Sequence, residues 1–134
     1  MGQKYLCDTN VFLEILLQRG ERISCSEFMN QHLKEIAVTD FGLFSFCIQA
    51  ERHRCESAGF SFIHDLFQSG IQIISTEPLK AIQSLFEKTL TSFDYDDYIQ
   101  YRIAKEHHLA LVTLDKDFFK KKLDIRVLRP HEVQ

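Results

Sequence analysis

Two rhythms of apolar and polar residues alternate along the chain. Short, nearly continuous apolar runs of strand length occur at 4–8 (KYLCD), 36–40 (IAVTD), 71–75 (IQIIS), 109–113 (LALVT) and 125–128 (IRVL). Runs of this kind suit strands covered on both faces. Between them the apolar spacing lengthens to three and four residues, which predicts helices over 10–18, 24–36, 41–54, 60–68, 76–90 and 94–108, and a short one over 115–122. Ser24 or Ser26 suits the N-cap of the second helix; Thr76, followed by Pro78, suits the N-cap of the fifth. Strands alternating with helices predict a three-layer α/β/α fold around a mostly parallel five-stranded sheet.

Composition narrows the class. The 134 residues fit a single domain spanning 1–134, and 45% hydrophobic with 26% charged residues is the balance of an ordered globular protein. No apolar run approaches the ~20 residues of a membrane span and the first ten residues carry no signal-like core, so the expected location is cytoplasmic with no membrane partner. Cys7, Cys25, Cys47 and Cys55 form no C-x-x-C pair and are expected as free thiols. The six histidines show no zinc spacing. A net charge of −3 means that any nucleic acid must be held by local cations or by metal ions.

The acids stand out by position. Asp8 ends the first predicted strand, Asp40 the second, Asp115 and Asp117 follow the fourth, and Asp94, Asp96 and Asp97 open a helix. In parallel sheets ligands gather at the carboxyl ends of the strands. An Asp alone in such a place is ordinarily a helix cap. Several carboxylates meeting at one edge repel one another unless a cation sits among them, and a hard, oxygen-seeking Mg²⁺ or Mn²⁺ is the natural partner. Such an ion activates water and stabilises charge at a phosphodiester, which is nuclease chemistry.

The segments LCDTNVFLEIL, DDYIQYRIA and LVTLDKDFF resemble, in the same order along essentially the whole chain, the signature segments of the PIN domain. That family is a metal-dependent ribonuclease fold which includes the VapC-type toxins of bacterial toxin–antitoxin pairs. The resemblance implies that Asp8, Asp97 and Asp115 are catalytic and metal-binding, with Asp117 as a further ligand and Asn10 and Thr113 as polar companions. It also implies an RNA substrate, an antitoxin partner and a homodimer. Facing supports Asp97 over Asp96: Asp97, Tyr101 and Ala104 share one side of a helix, whereas Asp96 falls in register with Ile99 and Ile103 and suits a cap.

One departure bears on activity. The family places a Glu six residues after the Ser or Thr that ends the second strand, and six from Thr39 is Ser45. Asp40 or Glu51 are the candidates to replace it. Arg52 and Arg54 in ERHR, and Lys120 and Lys121 in KKK, are candidates to hold an RNA backbone. Phe12, Phe44, Phe46 and Phe60 are candidates for an exposed groove. The leading expectation is a metal-dependent endoribonuclease, the toxin of a toxin–antitoxin pair; the alternative is a catalytically weakened PIN fold serving as an RNA- or protein-binding module. Asn10 stands where a haloacid-dehalogenase-like phosphatase needs its second acid, which disfavours that class.

Overall fold

The computed structural model describes residues 2–87 and 93–134. Five parallel strands form one sheet: β1 (Tyr5–Cys7), β2 (Ile36–Thr39), β3 (Gln72–Ile74), β4 (Ala110–Val112) and β5 (Val127–Leu128), in the order β3-β2-β1-β4-β5. The three-layer α/β expectation holds. Parallel neighbours require crossovers, and the helices supply them: α1 (Thr9–Leu16) and α2 (Arg22–His32) lead from β1 to β2, while α3 (Asp40–Arg52) and α4 (Glu56–Gln68) lead from β2 to β3. Then α5 (Pro78–Leu85) and α6 (Tyr95–Glu106) precede β4, and the short α7 (Lys116–Phe119) precedes β5. The order reverses at β1, which starts next to β2 on one side and β4 on the other, so the ends of β1 and β4 open on the same crevice.

The core lies on both faces of the sheet. On one, Val11, Phe12, Phe28, Ile36, Val38 and Phe46 pack together; on the other, Leu6, Ala37, Phe93, Tyr98, Ala104, Leu111 and Phe118. Consecutive residues of β1 and β2 are all buried, as their unbroken apolar runs require. At Gly59 an added Cβ would stand 2.8 Å from the Ala50 side chain, so the two small residues let α3 and α4 approach closely.

Several expectations are corrected in detail. Helix α2 starts at Arg22, before both predicted caps, and the Ser24 hydroxyl donates back to the Glu21 carbonyl instead. Glu77, not Thr76, holds the cap position of α5. The predicted extension of that helix over 88–90 lies outside the described residues. Phe12 and Phe46 do not line an exposed groove: both are fully buried, edge to face with each other, whereas Phe44 and Phe60 face outward. All four cysteines are free. Among the described residues, no helix is long and apolar enough to cross a membrane.

Candidate metal centre

Asp8 follows β1 and occupies the cap position of α1, yet its carboxylate makes no cap bond to that helix. It turns instead to β4. The Thr113 hydroxyl donates to Asp8 Oδ2 at 2.8 Å. Thr113 Oγ1 in turn accepts from Asn10 Nδ2 at 3.2 Å and from the Asp115 backbone N–H at 3.0 Å, and Asn10 Oδ1 accepts the Leu114 N–H at 3.2 Å. Thr113 is completely buried, so this network ties the ends of β1 and β4 together beneath the crevice. It brings Asp8, Asn10, Thr113 and Asp115 together from positions over a hundred residues apart.

The opposite wall is the start of α6. Asp94, Asp96 and Asp97 stand close enough for one oxygen of each to share an ion, with Asp96 Oδ1 accepting the Asp97 N–H at 3.0 Å. Asp94 holds the cap position, which corrects the expectation that Asp96 caps this helix. Burial, and then the charges of Asp96, Asp115, Asp8 and Asp94, push the Asp97 carboxyl up to about 7. Burial pushes Asp8 up to about 6; the Thr113 hydroxyl opposes the rise, and the Asp115 and Asp96 charges add to it. The acids of three segments therefore sense one another's charge across a single site. The donors are carboxylate, hydroxyl and amide oxygens, a set suited to a hard divalent cation that would relieve this repulsion.

Other predicted residues lie elsewhere. Asp117, in the first turn of α7, is exposed and has Lys120 Nζ 4.0 Å away; its backbone N–H donates to Asp115 Oδ1 at 2.9 Å. Asp40 is turned away from the acids: its carboxylate accepts the Phe41 N–H at 2.7 Å, the Thr76 hydroxyl at 2.7 Å and the Thr76 N–H at 3.0 Å. Glu51, Arg52 and Arg54 fall at the far end of α3. That helix starts at the carboxyl edge of the sheet and its thirteen residues carry the chain back by roughly 20 Å, so these three do not flank the acids. Lys120 and Lys121 do follow directly on α7, with Lys121 Nζ 4.5 Å above the Phe93 ring.

Ser45 is half-buried on α3, one turn after Phe41 and on the same side of the helix. Thr39 caps α3 by accepting the Gly42 N–H at 3.0 Å, and its hydroxyl lies 3.5 Å from Gln100 Oε1. Gln100 is buried one turn beyond Asp97 and did not stand out in the sequence. An amide spaced three residues from an acid on a predicted inner helix face is the signal that marks it.

The PIN-domain family profile matches residues 5–123. The chain belongs to the PIN-domain family. Its fold is that of several solved PIN-family structures. A toxin–antitoxin complex from Klebsiella pneumoniae superposes with a TM-score of 0.68 at 20% identity, over 97% of this chain and 100% of that one. DNA-bound VapBC from Salmonella typhimurium gives 0.69 at 18%, over 96% and 98%. VapC20 from Mycobacterium tuberculosis, a toxin that cleaves the sarcin–ricin loop, gives 0.72 at 11%, over 92% and 99%. No curated protein matches the chain in sequence.

Proposed function

We propose that this PIN-domain chain is a Mg²⁺- or Mn²⁺-dependent endoribonuclease, the toxin of a toxin–antitoxin pair acting in the cytoplasm. The observation that carries the reading is the meeting of Asp8, Asp97 and Asp115, from three separate segments, at the carboxyl edge, where burial and the neighbouring carboxylates raise the proton affinities of Asp8 and Asp97. These three would hold the ion. A divalent cation there lowers the pKa of water and offsets negative charge at a phosphodiester. The residues of the chain prepare the site: Thr113 orients the Asp8 carboxylate, Asn10 fixes the turn after β4, and Lys120 and Lys121 stand nearby to attract the anionic backbone. An antitoxin partner accords with the similar structure from Klebsiella pneumoniae, which is a toxin–antitoxin complex, and a homodimer belongs to the same proposal.

The binding-module alternative has its own support. Ser45 contributes no carboxylate, Asp40 is directed to Thr76, and Glu51 is at the distant end of α3. Asp96, however, adds charge beside Asp97 from the α6 side, so the centre remains strongly acidic without an acid from α3. The test is cleavage of single-stranded RNA with Mn²⁺ and with chelator, for the parent and for Asp8→Asn and Asp97→Asn. The nuclease reading expects cleavage only with metal, reduced at least a hundredfold in each variant. RNA retained without cleavage would favour the binding module, and cleavage indifferent to chelator would remove the metal from the account.

A further inference from the structure

An apolar groove of about 300 Å³ adjoins the acids, with Phe41, Pro78, Ile82, Tyr95 and Ile99 in its walls and Asp96 at its edge. Asp96 therefore belongs at once to the groove and to the acid cluster. Phe41 and Ile99 pack against the core at the base of the groove, whereas Tyr95 is 65% exposed, Ile82 is 52% exposed and none of the residues of α5 is buried, so the outer walls present apolar surface to solvent. The Asp40 to Thr76 bonds give the groove a fixed shape, because they tie the first residue of α3, which carries Phe41, to the turn that starts α5.

Charge decides what such a groove can take. Asp96 at its edge repels a phosphate inside the groove, which no cation would offset there, whereas a neutral, flat, apolar surface meets no such penalty. Unstacked bases of single-stranded RNA have that character and stack on aromatic side chains. We propose that this groove takes one unstacked nucleobase of the RNA, next to the phosphate held at the acid cluster, with Tyr95 as its stacking surface; the proposal rests on the nuclease reading above. Every base has a π-face, so the groove fixes where the strand is cut relative to a base and is tolerant of which base it is. Because the Asp40 to Thr76 clamp shapes the groove in advance, little ordering is needed on binding.

The test uses single-stranded oligonucleotides with Mn²⁺, each carrying one abasic nucleotide at a successive position. In the parent, one position adjoining the scissile phosphate shows a fall in kcat/KM of about five- to a hundredfold when its base is missing, and a much smaller change when its base is exchanged. Tyr95→Ala lowers cleavage of the intact strand by a similar factor and abolishes the abasic penalty, while Tyr95→Phe keeps both. Ile82→Ser, on the other wall, weakens the same penalty. An unchanged stabilisation by Mn²⁺ in Tyr95→Ala shows that the variant is folded with its metal site intact. An abasic penalty equal in the parent and in Tyr95→Ala overturns the inference alone and leaves the groove to an apolar protein segment. Failure of the parent to cleave any oligonucleotide overturns the nuclease reading and the groove inference with it.

Discussion

The Thr113 hydroxyl has one proton to donate and two lone pairs, and all three are used: the proton goes to Asp8, the lone pairs to Asn10 and the Asp115 N–H. A buried hydroxyl saturated in this way holds the Asp8 carboxylate in one orientation while burial works against its charge. The consequence is an unusual dependence on pH. An Asp in an unfolded chain titrates near ~3.9, whereas Asp8 and Asp97 in the folded chain titrate at about 6 and about 7. Between those limits the folded state binds more protons than the unfolded one, so stability is greatest at acid pH and falls as pH rises through 6 and 7. This is opposite to the usual effect of a salt-bridged carboxylate. In chelator, denaturant midpoints should correspond to a loss of about 2 kcal/mol between pH 5 and pH 8, a figure reduced for the solvent screening of half-exposed Asp97. Asp8→Asn and Asp97→Asn should each flatten the trend. A stability that rises over that range in the metal-free parent would contradict the raised affinities.

At the scale of elements, the strands and most helices were legible because apolar runs and apolar stripes are imposed by burial, as at Leu6 and Val38 or Phe28 and Leu66. The acids were legible for a related reason: a strand end is easily located, and Asp8 sits directly after β1 while Asp115 follows the end of β4 by three residues. Helix starts were less legible, since Ser24 and Thr76 have cap chemistry but direct it to the Glu21 carbonyl and to Asp40. Distance was hidden too. Glu51 and Arg52 are close in sequence to Thr39, yet a helix carries them to the opposite edge of the sheet. The same geometry makes Ser45 the position on α3 that can be asked to supply an acid. If Ser45, one turn beyond Phe41, faces the cluster, Ser45→Glu should tighten Mn²⁺ binding and lower stability in chelator, because repulsion in a metal-free site grows with each carboxylate. An exposed helix surface would instead change by a few tenths of a kcal/mol in both conditions. Denaturation with saturating Mn²⁺ and with chelator separates the two, and parallel shifts would place Ser45 outside the site.

At the scale of the whole molecule, one side of the sheet carries the cost of the site. The carboxyl edge brings Asp8, Asp96, Asp97 and Asp115 within range of one another's charge, and both raised affinities measure a penalty that folding imposes in the absence of a cation. An unfolded chain separates these segments and feels no such penalty, so a divalent ion that binds the folded state alone stabilises the entire domain through linkage. At a metal concentration 100 times the dissociation constant the gain is about 2.7 kcal/mol. For a chain of 134 residues, that gain raises Tm by roughly 10 °C. The rise should be larger at pH 8 than at pH 5, where protons already neutralise Asp8 and Asp97 and compete with the ion. The size of the pH effect would therefore differ between the two conditions, with chelated protein losing stability as pH rises and Mn²⁺-saturated protein losing much less. Calcium should reproduce part of the stabilisation, since carboxylate oxygens accept it as well. Thermal melts of the parent and of Asp8→Asn, at both pH values, with millimolar Mn²⁺ and with chelator, measure all of this at once. Coincident parent melts with and without metal at pH 8 would mean that the acids meet for some purpose other than holding a cation.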